Sequence, residues 1–238
     1  MQRTPTFRDA VRRAIKGAAV DAHPYFVGLR ERSIERNAFI ASQSQFFHAV
    51  TAFSRPMLLL ASRTDDTALR LVLVKNAWDE HGEGHLAASH QATFLAMLSL
   101  LRGADVAQAG AVAAPLDPDS AGAAVRAFNA TLLGVCGHGD PVTGLAMLGV
   151  IEDLFAGISQ RIGQGIVAAG WASRDALVHY AVHETLDVAH SEAFYGPLEA
   201  RWSDPDAQVA IAAGLELGAH VFMRLYDGLY EICARASA

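Results

Sequence analysis

Apolar positions recur at three- and four-residue spacing along almost the whole chain, the period of helices with one buried face. Leu145, Leu148 and Phe155 illustrate the stripe. Nowhere does strict alternation bounded by turn residues mark a half-buried strand. Val72-Leu73-Val74 is too short and lies inside a helical pattern. Asp117-Pro118, Asp140-Pro141 and Asp204-Pro205 each precede an alanine- or leucine-rich stretch. An Asp that caps the free N–H groups, followed by Pro in the first turn, is a helix start. Ser173, before Arg174 and Asp175, is a fourth and weaker one. These signals predict helices over 5–20, 33–62, 65–81, 85–102, 118–137, 141–167, 173–195 and 205–235. Pro56 falls inside the second and should kink or split it. The stretch 103–116 is predicted as the long loop, too short and too apolar for a flexible interdomain linker. No internal repeat is present. The expected architecture is an all-α, single-domain helical bundle over residues 1–238, with about seven to eight helices.

Composition narrows the function classes. Of the 238 residues 52% are hydrophobic and 18% charged, which excludes disordered, collagen-like and disulfide-scaffold classes. Cys136 and Cys233 are the two cysteines, too few for a four-Cys metal site and consistent with a reducing, cytoplasmic setting. A net charge of −6 offers no general attraction to nucleic acid or anionic lipid. The positive mean hydropathy of +0.20 owes much to alanine, a helix former rather than a lipid seeker, so no membrane partner is expected. Met1 to Arg13 carries Arg3, Arg8 and Asp9 without an apolar core, so no signal peptide is expected. Ten histidines beside so few charges are the anomaly.

Several of them share one predicted helix. At about 100° per residue, Asp187 lies roughly +40° from His183, His190 about −20°, His179 about −40° and Phe194 about +20°. One stripe therefore carries three imidazoles and a carboxylate, which on a core-facing surface must be hydrogen-bonded, neutralised or metal-bound. The plain alternative is a solvated histidine-rich face. A second cluster, Trp78-Asp79-Glu80-His81-Gly82-Glu83-Gly84-His85 followed by His90, offers Glu80, Glu83, His81, His85 and His90 as possible ligands. Gly82 and Gly84 suggest a break where the backbone bends, and the plain alternative is a polar loop. Glu152 projects from an apolar stripe and is costly there unless paired or metal-bound, whereas Asp153 points to solvent. An Arg on a neighbouring helix would satisfy Glu152 equally. Carboxylates and imidazoles spread over three helices are the ligand chemistry of non-haem iron or manganese in a helical bundle.

Asn76, Asp79-Glu80, Gly82, Gly84 and His90, then Glu152, then His183, Asp187 and His190, resemble the haem-oxygenase-like diiron oxidases, also called iron-containing redox enzymes. Their fold is shared with thiaminase II and pyrroloquinoline-quinone synthase. His23-Pro24-Tyr25-Phe26 and Phe46-Phe47-His48-Ala49-Val50 through Phe53 extend the resemblance over residues 20–195. It implies two Fe ions, cycling between Fe(II) and Fe(III), held by Glu80, His90, Glu152, His183, Asp187 and His190. The helix arithmetic disagrees at one position: Glu83, seven residues before His90, shares its face on an unbroken helix, and Glu80 stands about 80° off. Glu80 is preferred because the glycine break lets it swing in, and Glu83 is kept as the alternative. Relatives that oxygenate an amine nitrogen add a carboxylate on the helix corresponding to 40–56, where this chain has no Asp or Glu between Glu35 and Asp65. The branch that makes 4-aminobenzoate from its own side chain places a Tyr where Phe26 aligns and a Lys after the middle Glu. Here Tyr25 is displaced by one and no Lys follows Lys75, which counts against self-sacrificial chemistry.

The resulting expectation is an O2-dependent non-haem diiron oxidase or oxygenase, with O2 as co-substrate, acting on a small molecule such as an amine, an amino acid or a fatty acid. Asp79 and Tyr180 are candidates for orienting the imidazoles. His48, Phe53, Trp78, Phe155 and Tyr180 are candidates for the substrate pocket, with Phe46 and Phe47 beside them, and 103–116 is a candidate lid. A homodimer is expected. The competing readings are a cofactor-free oxidase or thiaminase-like hydrolase on the same fold, and a non-enzymatic helical interaction protein. A His-Asp phosphohydrolase is excluded because no such dipeptide occurs.

Overall fold

A computed structural model describes residues 5–104 and 116–236. Ten α-helices are found among the described residues: α1 Phe7–Ala18, α2 Pro24–Arg30, α3 Arg36–Val50, α4 Ser54–Arg63, α5 Thr67–Glu80, α6 His90–Leu101, α7 Ala123–His138, α8 Pro141–Ala168, α9 Val178–Ala200 and α10 Pro205–Ala236. No strand occurs among them. The all-α reading holds, with a count slightly above the seven to eight expected.

The differences have local causes. The helix expected over 33–62 is split into α3 and α4 at residues 51–53, with Pro56 in the first turn of α4, where its missing N–H costs nothing. The α2 helix was not expected; His23 caps it by accepting from the Tyr25 amide at 3.2 Å, and Pro24 opens it. Asp140 caps α8 by accepting from the Thr143 amide at 2.8 Å. Asp117-Pro118 instead starts a single 3₁₀ turn, Pro118–Ser120, and α7 begins at Ala123. After Ser173 a 3₁₀ turn, Arg174–Ala176, likewise delays α9 to Val178. At its far end α9 runs through Pro197 to Ala200, although Pro197 removes one main-chain donor there. The expected loop and candidate lid over 103–116 lies almost wholly outside the described residues.

At the centre is α8, buried on nearly every side and packed along α9 and α10. Two α10 glycines permit the close approach. A Cβ on Gly218 would meet Val150 Cγ1 at 2.5 Å and the Met147 carbonyl oxygen at 2.6 Å. The crossing fixes the α8 turn that precedes Glu152. By length and composition α8 and α10 are apolar enough to cross a membrane, but 78% and 50% of their most apolar windows are buried inside this bundle. Their hydropathy is that of core helices.

Candidate metal centre

Three helical segments converge on one buried point. The first is the junction of α5 and α6. Helix α5 ends at Glu80 because the backbone then runs through positive φ at Gly82 (67°), Glu83 (52°) and Gly84 (86°). The chain doubles back so tightly that a Cβ on Gly82 would lie 2.6 Å from Ala88 C and Ser89 N. Ser89 then caps α6, its hydroxyl accepting from the Ala92 amide at 3.2 Å, and His90 opens the helix. The turnback sets Glu80 Oε2 2.7 Å from His90 Nδ1. Glu83, with His81 and His85, is exposed on the outside of the loop. An unbroken helix would have favoured Glu83; the glycine break brings Glu80 in instead.

The second segment is α8, which carries Glu152 into the interior at 2% exposure. The third is α9, where the four- and three-residue spacings bring His183, Asp187 and His190 to the same side at 3%, 0% and 5% exposure. His183 Nδ1 lies 2.8 and 3.0 Å from the two Asp187 oxygens. His190 Nε2 lies 3.2 Å from Asp79 Oδ2, and its Nδ1 faces Glu152 Oε1 at 3.8 Å. Glu80, Glu152 and His190 each bring one ligand atom within 4.8 Å of the others. With bonds of about 2.1 Å, ligands opposed across one ion stand about 4.2 Å apart, so modest closure satisfies a cation.

The donor set passes a second test of fit. Buried polar atoms are nearly always hydrogen-bonded. Here His90 Nδ1, Glu152 Oε1, His179 Nε2, His183 Nε2 and His190 Nδ1 are all buried without a hydrogen-bond partner. His90 Nδ1 is close to Glu80, yet its N–H direction misses the carboxylate. Two ligand atoms lying side by side suit a shared cation better than a bond to one another.

The electrostatics are those of crowded, desolvated charges. Burial pushes the Glu152 carboxyl up to about 7, and Asp187 adds to the rise against the pull of His190. Burial drives Asp187 well above the carboxylate range. His183 is pushed down to about 3 by burial and by His90. Burial opposes the charge on His190, but Glu152, Asp187 and the bond to Asp79 outweigh it and raise the imidazole to about 9. Burial likewise opposes ionisation of Glu80, and His90 overcomes it, holding the carboxyl below its usual value. Such opposed shifts concentrated in one place mark a functional cluster.

An apolar cavity of about 30 Å³ opens beside the cluster, with Glu80, His90, Glu152 and His183 in its wall and Phe46, Phe53, Phe128, Phe155 and Phe222 among its apolar lining. Phe53 and Phe155 are therefore where the sequence suggested. Three other suggested pocket residues are not. Trp78 is 55% exposed and covers Gly84, His48 reaches Ser120 at 3.1 Å, and Tyr180 donates to Gln43 Oε1. A residue's place along one helix does not tell which neighbouring helix its side chain meets. Asp79 does contact an imidazole, whereas Tyr180 does not hydrogen-bond one. Asp153 is half-buried rather than solvent-facing, accepting from the Tyr195 hydroxyl at 3.1 Å. Phe128 and Phe222 were missed because ordinary core phenylalanines carry the same pattern.

An all-helical bundle with a buried carboxylate–imidazole cluster compatible with iron is the class that fold and site define. The chain belongs to the iron-containing redox enzyme family, whose family model matches residues 42–223, and it is an oxidoreductase. It is 24% identical over 239 residues to a 4-aminobenzoate synthase of Nitrosomonas europaea, covering 96% of this chain and 92% of that protein. Its fold is similar to that of a domain of unknown function with a haem-oxygenase-like fold from Shewanella denitrificans, at TM-score 0.71 and 15% identity, covering 93% of this chain and 89% of the other. It is also similar to a TenA family transcription regulator from Silicibacter sp. TM1040, at TM-score 0.57 and 18% identity, with 91% of each chain covered. These two likenesses show the haem-oxygenase-like fold.

Proposed function

We propose that the protein is a non-haem diiron oxidase or oxygenase that uses O2 to oxidise a small, externally supplied molecule. The observation that carries the reading is the convergence of Glu80, Glu152 and His190 within 4.8 Å, buried, beside imidazole nitrogens that have no other partner. In this reading Glu80, His90, Glu152, His183, Asp187 and His190 hold two iron ions, with Glu83 outside the set. Bound ferrous iron supplies the electrons that reduce O2.

The protein's own groups do the rest. The carboxylates balance the charge of the metal ions, and neutral imidazoles fix their positions. Asp79 accepts from His190 Nε2–H and so fixes which ring nitrogen faces inward. The phenylalanine lining excludes water and receives the apolar part of a substrate. A cavity of about 30 Å³ holds little more than a water-sized guest, so substrate entry requires the wall to move. Phe53, at the break between α3 and α4, is part of that wall.

The Nitrosomonas relative raises aminobenzoate formation as the transformation. Tyr25 is fully buried and tied to Ser42 and Gln43 at 2.9 and 2.7 Å, and no Lys follows Lys75, which favours an external substrate over a side chain of the protein itself. We further propose one domain over 1–238, no nucleic-acid or membrane partner, a homodimer and a cytoplasmic location. The test is O2 uptake after anaerobic loading with Fe(II). The parent should consume O2 in proportion to bound iron, and Asp187→Ala and His183→Ala should not. Equal uptake by all three overturns the reading.

A further inference from the structure

We infer that His179 is an additional metal-binding donor of this centre, presenting Nε2 beside His90 and His183; the inference rests on the diiron reading above. His179 lies one helical turn before His183 on α9 and is 1% exposed. Its ring centroid stands 4.5 Å from that of His183 and 6.1 Å from that of His90, and His90 and His183 are 4.2 Å apart. The three rings form one cluster, joined to the carboxylates through His90 Nδ1, which lies 2.7 Å from Glu80 Oε2.

Hydrogen-bond direction assigns the free atom. The Thr93 hydroxyl has one hydrogen, which it directs to the main-chain carbonyl of Ser89 or of His90, each at 3.2 Å. His179 Nδ1 lies 3.0 Å from the same oxygen. With the hydroxyl hydrogen on a carbonyl, Nδ1 carries the ring hydrogen and Nε2 a bare lone pair. That lone pair is buried and has no hydrogen-bond partner. Its aromatic neighbours do not serve it: Phe94 has no polar atom, and the Tyr180 hydroxyl is committed to Gln43. His183 repeats the arrangement, with Nδ1 held by Asp187 and Nε2 buried and unpartnered.

Helix α9 thus offers two imidazole lone pairs four residues apart on one face, the spacing by which paired histidines bind a metal ion. The sequence expresses it as His179-x₃-His183 preceding Asp187 and His190. With His179 included, the proposed donors are three carboxylates, Glu80, Glu152 and Asp187, and four imidazoles, His90, His179, His183 and His190. The metal position nearer His179 and His183 then suits metals that favour nitrogen ligands more than the other does.

The test is anaerobic titration of the full chain with Co(II), read by its visible absorption and by elemental analysis, with circular dichroism confirming the fold. The parent should bind two equivalents. His179→Gln should weaken one of them by at least tenfold and alter its absorption band while sparing the other. Thr93→Val should shift the same equivalent in the same direction, and Thr93→Ser should restore it; this pair carries the test if His179→Gln does not fold. Unchanged affinities and spectra in His179→Gln, or in Thr93→Val where that pair decides, overturn the inference. Asp187→Ala separates the two levels. If it loses cobalt while the His179 and Thr93 variants do not, only the role of His179 falls; if parent and Asp187→Ala alike bind none, the metal reading falls with it.

Discussion

Replacing Glu152 by Gln should stabilise the metal-depleted protein while destroying its response to metal. Glu152 is 2% exposed, and burial with the nearby Asp187 raises its carboxyl from 4.5 to about 7. A group whose folded value is raised gives its full stability below the unfolded value and loses it as pH rises through the folded one. Above pH 7 the ionised side chain therefore costs about 3 kcal/mol, at about 1.36 kcal/mol per pH unit. The neutral isostere removes that cost, in which the attraction to His190, whose Nδ1 lies 3.8 Å away, is already counted, and gives up some packing of its own. A net gain of about 1–3 kcal/mol remains, or about 2–12 °C in Tm for a chain of this size. The assay is thermal unfolding in chelator at pH 8 and pH 5, repeated at pH 8 with Fe(II) under anaerobic conditions. Glu152→Gln should melt higher than the parent at pH 8 in chelator, by much less at pH 5, and should gain nothing from iron, whereas the parent gains. A variant no more stable than the parent at pH 8, or equally stabilised at both pH values, refutes the reasoning.

Asp79→Ala removes the acceptor for His190 Nε2 and should weaken metal binding about 10- to 100-fold without altering helix content, measured by competition with a chromophoric chelator. Gly218→Ala should cost about 1–3 kcal/mol in urea unfolding, because the new methyl overlaps Val150 and Met147; an unchanged midpoint contradicts the close α8–α10 crossing. Gly82→Ala, at φ 67° and against the Ala88–Ser89 backbone, should lower both Tm and metal affinity by displacing Glu80 from His90, and a loss of stability alone would mean the turn does not position the ligands. With His190 raised to about 9, metal must displace its proton, so affinity should rise with pH up to about 9 by as much as tenfold per unit, with protons released on binding; affinity flat from pH 6.5 to 9 counts against this.

Much of the site was legible because it is local. The four- and three-residue steps among His183, Asp187 and His190 are a property of one helix, and α9 delivers them to one side as the arithmetic requires. Glu152 was legible for a related reason: a carboxylate on an apolar stripe has few affordable environments. The choice between Glu80 and Glu83 depended on the path of a broken backbone. The positive φ angles at Gly82, Glu83 and Gly84 leave Glu80 buried and Glu83 exposed, and helical periodicity fails where the helix stops. The pocket wall was the least legible part. Phe53 and Phe155 fit expectation, but Trp78 proved exposed, and Phe128 and Phe222 arrive from helices distant in sequence. Those contacts are set by how α7 and α10 cross α8, which no local pattern encodes. His179 lies on the same face as His183 by spacing alone, while the role inferred for it needed its contact with Thr93 and the unpartnered Nε2.

The most direct measurement of the central claim is iron per chain after anaerobic Fe(II) loading and removal of unbound metal, by elemental analysis, on the parent and on Glu80→Ala, Glu83→Ala and His183→Ala. Two iron ions are expected in the parent and in Glu83→Ala, and fewer in Glu80→Ala and His183→Ala. A parent that retains no iron, or Glu80 and His183 variants that load as fully as the parent, would contradict that claim.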